Sequence, residues 1–299
     1  MPSASSINTN PAIGLIGFGA FGQLIAQHIR PHFPICVYDP ASGLQSAAER
    51  CGIRLTNLEE VARCPVVVFA TPVAHMEAVV DAVAPHVQPG SFILDVGSVK
   101  MKPAEIMRRG LPEHAHIVAT HPLFGPQSAR NGLAGLNIVL CPIRGRRSNR
   151  LAAFLRSKLR LNVIMTTAED HDRQMATVQG LTHLIAKVLL QMEPLPDRMT
   201  TRSFDLLKAA VNMVRDDTPE VFEAIERSNP YSSDVRKRFF ELASSLNAQL
   251  QATSHGSASA PCSAEQIMKG IAKTEPSTLR KCTQHDRLRQ SADRLQGEH

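Results

Sequence analysis

Short apolar runs alternate with helix-like segments through the first half of the chain, and this alternation limits the possible folds more than any other feature. Five runs are expected to be strands: 12–17, 35–39, 65–70, 92–96 and 136–141. Helical patterns follow the first and third runs, near 21–29 and 75–84. Strands written as continuous apolar runs, with helices between them, are typical of parallel βαβ units that are covered on both faces. The first half therefore predicts an α/β fold built on a mostly parallel sheet.

From about residue 170 the pattern becomes helical. Apolar residues in 173–192 recur at spacings of three and four, and 203–214, 220–227 and 233–250 continue the pattern. Beyond residue 250 the composition turns polar. We predict a disordered N-terminus over 1–10, an α/β domain over 11–168, an all-helical C-terminal domain over 169–250, and a polar, disordered tail over 251–299.

A glycine motif follows the first predicted strand and opens the first predicted helix. Its residues, in the pattern G-x-G-x-x-G, are Gly17, Phe18, Gly19, Ala20, Phe21 and Gly22. In this context Gly17 permits a tight turn, Gly19 lets backbone approach a pyrophosphate, and Gly22 lets the helix pack on the strand. The helix N-terminus would face the phosphates with its free N–H groups. We predict a dinucleotide-binding domain of the Rossmann type, with a glycine-rich turn that binds nothing as the alternative.

Two further positions bear on the cofactor. Asp39 ends the second predicted strand, seventeen residues after Gly22, and a carboxylate there accepts hydrogen bonds from the adenosine ribose and repels a 2′-phosphate. Residues 40–42 supply no arginine for such a phosphate, so we predict NAD rather than NADP. Thr71 and Pro72 follow the third strand and are expected to line the ribose and nicotinamide side. The simpler alternatives are a solvated turn residue at 39 and a strand-ending proline at 72.

Two polar segments are expected to follow strands at the same sheet edge as the glycine motif. They are DVGSVK at 95–100 and HPLFGP at 121–126. Removing a hydride from an alcohol-bearing carbon needs a base that works near pH 7, and His121 suits that task. Ser98 can orient this base or the substrate oxygen, and it also lies beside the predicted cofactor. A lone histidine is more often structural, but the expected position of His121 favours catalysis.

The segments GFGAFG, DVGSVK, HPLFGP and QGLTHLIA together resemble the prephenate and arogenate dehydrogenases of tyrosine biosynthesis, over about residues 13–246. HPLFGP is most similar to the plant-type arogenate dehydrogenase branch. The resemblance implies oxidative decarboxylation of prephenate or arogenate, with hydride transfer to NAD. It implies that His121 takes the proton of the C4 hydroxyl and that Ser98 hydrogen-bonds this hydroxyl. It also implies a homodimer formed through the helical domain.

The carboxylates of such a substrate need cationic or hydrogen-bonding partners. Gln179 and His183 are four residues apart, share a helix face, and resemble polar positions in the family's substrate-facing helix. Arg202 matches the family's carboxylate-binding arginine, which can grip a carboxylate through two bonds. His171 is a further candidate for the substrate site. The alternatives are a surface arginine, a satisfied core histidine at 183, and a capping histidine at 171.

Arogenate carries an ammonium group where prephenate carries a ketone. A carboxylate near that end of the substrate favours arogenate by charge pairing. Asp217 is the candidate for this group, because it lies at the start of a predicted helix where the plant-type branch also carries an acidic residue. The alternative is that Asp217 only complements a helix N-terminus.

The composition of the chain indicates which kinds of binding partner to expect. The net charge of +6 would suit nucleic acid or small anions, but the basic residues are scattered and tryptophan is absent, so we expect no nucleic-acid partner. No run approaches the ~20 apolar residues of a membrane span, and no cluster has metal-ligand spacing. The six cysteines form no C-x-x-C pair, and the N-terminus lacks signal features. We expect a cytoplasmic, metal-free enzyme with a small-molecule substrate.

Other readings remain open. A β-hydroxyacid dehydrogenase pairs a similar N-terminal half with a helical domain and uses a lysine there, for which Lys187 is available. A pyrroline carboxylate reductase has a similar N-terminus but no role for His121. A non-catalytic NAD-binding module would tolerate the loss of both His121 and Arg202.

Overall fold

The computed structural model describes residues 13–255, with side chains through residue 252. Its strands are β1 Ile13–Ile16, β2 Ile35–Tyr38, β3 Arg54–Leu55, β4 Val66–Phe69, β5 Phe92–Asp95, β6 His116–Pro122, β7 Asn137–Arg144 and β8 Asn162–Met165. Its α-helices are α1 Ala20–Ile29, α2 Gln45–Cys51, α3 Leu58–Ala62, α4 Met76–Val83, α5 Met101–Gly110, α6 Ser148–Ser157, α7 Ala168–Met175, α8 Leu181–Gln191, α9 Arg202–Val214, α10 Pro219–Glu223 and α11 Ser232–His255. The predicted segment 1–10 and the tail beyond residue 255 lie outside the described residues.

All eight of these strands join one sheet in the order β3-β2-β1-β4-β5-β6-β7-β8. Pairing is parallel except between β6 and β7, so the predicted mostly parallel α/β sheet is confirmed. The apolar run at 136–141 suggested another parallel strand. The strand found there, β7, is antiparallel to β6, and β7 and β8 both run opposite to the first six strands. The chain order reverses between β1 and β4, which is where open α/β sheets place their ligands.

Alternate residues of the strands feed two apolar cores, because successive side chains point to opposite sheet faces. One core joins the sheet to α3, α4 and α5, and includes Ile16, Val80 and Met107. The other joins it to α1, α2 and α6, and includes Leu15 and Leu155. Both faces are therefore covered, as expected for parallel strands with continuous apolar sequences.

The helical second half begins with α7. Thr167 caps this helix, because its side chain accepts a hydrogen bond from the backbone N–H of Asp170. The helix expected over 173–192 is divided by a π turn at Ala176–Gly180, and a second π turn occupies Ala224–Ser228. A π turn adds one residue to a helical turn, and this shift is too small for apolar spacings of three and four to reveal.

The structure divides into two compact units after Leu242. The expected boundary at 168/169 is therefore a change of secondary structure inside the first unit. Helix α11 extends to His255, so residues 251–255, expected in the tail, are helical. Among the described residues, no helix is both long and apolar enough to cross a membrane.

Candidate active site

The glycine motif forms a tight turn between β1 and α1. Gly17 has φ +100°, and a Cβ placed on it would lie 2.5 Å from the carbonyl oxygen of Ala70. A Cβ on Gly22 would collide with the carbonyl of Gly17. A Cβ on Gly19 would have no heavy atom within 4 Å. Two glycines thus allow close backbone packing, and the third leaves open space at the helix N-terminus, as a pyrophosphate requires.

Asp39 is tied directly to this loop. The N–H of Phe18 donates to Asp39 Oδ2 at 2.6 Å, and the N–H of Ala41 donates to Oδ1 at 2.8 Å. The side chain of Phe18 is fully buried in the core, so Phe18 contributes backbone to the site and no side chain. These two bonds fix the plane of the Asp39 carboxylate beside the glycine loop.

The first turn of α1 holds Ala20 and Phe21. The ring of Phe21 lies 6.3 Å from the ring of Phe124, which follows β6. This contact brings the glycine loop against the HPLFGP segment. The two motifs, separated by about 100 residues in the chain, therefore share one edge of the sheet.

Thr71 and Pro72 follow β4 at the same edge. Oγ1 of Thr71 is buried and has no hydrogen-bond partner among the described residues. A buried hydroxyl without a partner is uncommon in native proteins and calls for a ligand or water. Together with the open space at Gly19, Thr71 indicates that this edge fits a dinucleotide.

We expected His121 to follow a strand. It instead lies inside β6, next to the last residue of that strand at its carboxyl end. It is 4% exposed, and its Nδ1 lies 2.8 Å from Nε2 of His171. Burial lowers the pKa of His121 well below its usual value of 6.5, and the neighbouring His171, Lys100 and His183 lower it further. The imidazole is therefore neutral at neutral pH and can act as a base.

His171 does not fit the expected role of substrate ligand. Its Nδ1 lies 2.7 Å from Oδ1 of Asp172, and its Nε2 faces His121. Both ring nitrogens are thus occupied by protein groups, which leaves neither for a substrate.

A buried ion pair supports the neighbouring strand ends. Nζ of Lys100 donates to Oδ2 of Asp95 and to the backbone carbonyl of Thr120, and both charged side chains are fully buried. Asp95 also accepts from the N–H groups of Gly97 and Thr120. Burial raises the pKa of Asp95, and Lys100 opposes this rise. Half-buried Ser98 lies in the loop that this pair anchors.

Sequence reasoning assigned no role to Asp95, Lys100 or Asp172. The first two lie in the DVGSVK motif, and Asp172 directly follows the candidate His171, so the sequence signal was a charged residue within or beside a segment already identified. Sequence spacing did not reveal that Asp172 binds the backbone of Lys100, 72 residues away.

Gln179, His183 and Asp217 come together at the first π turn. Nε2 of His183 lies 3.0 Å from Oδ2 of Asp217, and its Nδ1 lies 2.9 Å from the carbonyl of Gln179. Oε1 of Gln179 is buried without a partner among the described residues. His183 is among the groups that lower the pKa of His121, so this cluster lies near the proposed base. It provides an unsatisfied amide and a carboxylate, while both ring nitrogens of His183, like those of His171, already have protein partners.

The structure does not bring Arg202 to this cluster. Arg202 is exposed and begins α9, whereas Asp217 lies just beyond the other end of that helix. Thirteen helical residues separate the two ends by about 20 Å.

Lys187, the residue on which a β-hydroxyacid dehydrogenase would depend, sits over the ring of Phe222 at 5.5 Å. This cation–π contact gives the ammonium group a structural role. Within residues 13–255, no three His, Cys, Asp or Glu side chains are grouped to hold a metal ion.

Comparison with known proteins gives consistent results. A family model for the nucleotide-binding domain of prephenate dehydrogenase matches residues 25–178, half of the chain. A "Probable arogenate/prephenate dehydrogenase" of Methanocaldococcus jannaschii is 28% identical over 249 residues, covering 78% of this chain and 55% of the relative. Chloroplastic arogenate dehydrogenase 1 of Arabidopsis thaliana is 26% identical over 250 residues, covering 80% and 39%. The chain thus spans about half or less of the length of these two curated relatives.

A solved structure supports the fold. Prephenate dehydrogenase from Aquifex aeolicus, in complex with hydroxyphenyl propionate and NAD+, superposes with a TM-score of 0.66 at 18% identity. The match covers 89% of this chain and 97% of that one.

Proposed function

The chain belongs to the prephenate dehydrogenase family, and on this premise we propose that it catalyses the NAD-linked oxidative decarboxylation of a cyclohexadienyl substrate, prephenate or arogenate, in tyrosine biosynthesis. One observation carries the proposal. A buried histidine, His121, whose pKa is lowered well below 6.5 by burial, lies at the same sheet edge as a glycine loop that fits a dinucleotide.

In the proposed reaction the protein has two main tasks, which are to position the substrate and to transfer a proton. The substrate loses a hydride from C4 and its ring carboxylate as carbon dioxide. The electron pair of the broken C–C bond makes the ring aromatic, and the proton that leaves the C4 hydroxyl returns to the phenolate oxygen. NAD, when bound, supplies the hydride acceptor. His121 takes the hydroxyl proton, so the O–H bond breaks as an N–H bond forms, and Ser98 hydrogen-bonds the same oxygen. Burial of His121 excludes water from the reacting groups.

Asp39 supports NAD over NADP. Two backbone N–H groups hold its carboxylate beside the glycine loop, where the adenosine ribose of a dinucleotide binds. A 2′-phosphate would bring negative charge against this carboxylate. Gly17, Gly19, Gly22 and Thr71 would hold the remainder of the cofactor.

The cluster of Gln179, His183 and Asp217 supports a substrate-binding role. The buried Oε1 of Gln179 lacks a partner, and a substrate hydroxyl or ammonium group can supply one. The charge of Asp217 favours arogenate, although its Oδ2 already binds His183.

We propose a homodimer through the helical half, in which Arg202 serves the site of the partner. Large apolar side chains on α8 and α9, including Val188, Leu206 and Met213, are between 44% and 58% exposed. Exposed apolar surface of this kind is typical of an interface. An intersubunit role also accounts for the distance between Arg202 and Asp217 within one chain.

The four cysteines among the described residues are free thiols, which supports the cytoplasm as the location.

Substitution of His121→Asn tests the proposed reaction. The wild type should form NADH from prephenate or arogenate, and the variant should lose about 100- to 10,000-fold in kcat while its affinity for NAD stays unchanged by calorimetry. His114→Asn is the matched control, because His114 is exposed and lies two residues before β6, at the end of the strand far from His121. Equal rates for wild type and His121→Asn would refute the proposal.

A further inference from the structure

Three buried side chains form a line that ends at the proposed base. His121 Nδ1 lies 2.8 Å from His171 Nε2, and His171 Nδ1 lies 2.7 Å from Asp172 Oδ1. The three residues are 4%, 2% and 0% exposed, respectively. Since burial excludes competing water, the bonds among these groups decide where their protons sit.

The direction of these bonds is set at Asp172. The backbone N–H of Lys100 donates to Oδ1 at 2.7 Å, and that of Met101 donates to Oδ2 at 2.9 Å. These two groups open α5 and can only donate, so both carboxylate oxygens act as acceptors. Nδ2 of Asn229 donates to the backbone carbonyl of Asp172 at 2.7 Å and holds the residue in place.

The tautomers of both histidines follow from this arrangement. A carboxylate that accepts from His171 requires the proton on His171 Nδ1, which leaves the lone pair on Nε2. That lone pair accepts from Nδ1–H of His121, so the lone pair of His121 is left on Nε2. We infer that Asp172 and His171 are positioning residues that hold His121 in the one neutral tautomer whose Nε2 can accept the substrate proton.

This inference rests on the proposed role of His121 as base. In the reaction the new N–H bond forms at His121 Nε2, while Nδ1 keeps its own proton. The cation that results is hydrogen-bonded through His171 to the negative charge of Asp172. The imidazolium is thereby stabilised without any second proton moving.

Asp172→Leu removes the acceptor that sets the direction of these bonds. Without Oδ1, nothing holds the His171 proton on Nδ1, so part of the His121 population should be protonated on Nε2, the form that cannot act as the base. We expect kcat to fall about 100-fold or more. Asp172→Asn is the milder variant, because its one amide oxygen can take the Oδ1 position and accept from both His171 Nδ1–H and the N–H of Lys100, so the tautomer should persist while the negative charge is lost.

The tautomer itself is the decisive measurement. Long-range ¹H–¹⁵N NMR on the full-length, histidine-labelled protein should show His121 protonated at Nδ1 in the wild type and in Asp172→Asn, and a population protonated at Nε2 in Asp172→Leu. Asp170→Asn is the matched control, because Asp170 is an exposed carboxylate two residues earlier in the same helix. It should change neither the tautomer nor kcat.

His171→Gln provides a third variant with a different expectation. The glutamine oxygen can accept from Nδ1–H of His121, so the tautomer should persist while the link to Asp172 is lost, and kcat should fall only about tenfold.

An Nε2–H tautomer of His121 in the wild type, or an unchanged Nδ1–H tautomer in folded Asp172→Leu, would overturn the inference. If the tautomer switches as expected but the wild type turns over neither prephenate nor arogenate, the positioning role is supported and the proposed function fails.

Discussion

His121 is a titratable residue held without charge inside the protein. Burial lowers its pKa well below 6.5, and nearby positive charge adds to that effect. A base must be unprotonated to work, so the lowered pKa extends the working range of the site toward acid pH. The same residue makes the stability of the fold depend on pH, because the unfolded chain has an ordinary histidine at this position.

The sign of that dependence can be worked out. Below about pH 6.5 the unfolded chain protonates at residue 121 and the folded protein does not, so the unfolded state binds more protons. The stabilising contribution is fully present above about pH 6.5 and is lost as the pH falls toward the lowered folded pKa. Urea unfolding between about pH 7.5 and about pH 5 should show a steeper loss of stability in the wild type than in His121→Gln. Parallel curves for the two proteins would show that His121 is not buried neutral.

Asp217 carries the expected substrate preference. Asp217→Asn keeps a side-chain oxygen near His183 but removes the negative charge. We expect kcat/KM for arogenate to fall about tenfold more than kcat/KM for prephenate, because only arogenate carries the ammonium group. Asp216→Asn is the matched control, since the exposed Asp216 carboxylate instead accepts from Gln127 at 3.2 Å. An equal loss for both substrates would contradict the assignment.

At the scale of elements, the ends of β5 and β6 are held together by one buried ion pair. Lys100 bonds to Asp95, the last residue of β5, and to the carbonyl of Thr120, the residue before His121. The pair thus fixes the strand end that carries the base. If either charged group lost its partner, the other would remain as a buried, uncompensated charge.

Lys100→Met should therefore destabilise the protein by about 3–5 kcal/mol. The loss can be measured as a change in the free energy of unfolding in urea. Lys102→Met, at an exposed position on α5, should change it by less than about 0.5 kcal/mol. A small effect at Lys100 would show that Asp95 takes up a proton or finds another partner.

The elements differ in how far the sequence predicts them. Apolar runs predicted β1, β2, β4 and β5, and the glycine motif predicted the turn into α1, because each follows from local chemistry. β8 has mostly exposed side chains and only three consecutive apolar residues, Val163 to Met165, so hydrophobicity did not distinguish it from a loop. The antiparallel pairing of β7 depends on contacts with β6 that local sequence does not encode.

The residues of the candidate site likewise fall into two groups, those that motifs predicted and those that only the folded structure brings together. His121, Ser98, Asp39 and the glycine loop were predicted from motifs. The partnership of His171 with Asp172, and of Asp172 with the start of α5, depends on packing between α7 and α5. No spacing rule predicts such a contact.

At the scale of the whole molecule, the proposed dimer would place Arg202 of one subunit at the active site of the other. A mixture of His121→Asn and Arg202→Ala proteins, denatured and refolded together, should recover activity that neither has alone. Half of the dimers would be mixed, and one of their two sites would be intact, so recovery should approach about a quarter of the wild-type rate. The rate should be measured as NADH formation. No recovery would show that Arg202 acts within its own subunit or not at all.

The central claim is a dehydrogenase that uses NAD and a cyclohexadienyl substrate. Its most direct test is absorbance at 340 nm with the full-length protein, offering prephenate and arogenate separately, each with NAD and with NADP. We predict NADH formation with NAD, faster on arogenate than on prephenate, and little reaction with NADP because of Asp39. No reduced cofactor in any of the four combinations would contradict the account.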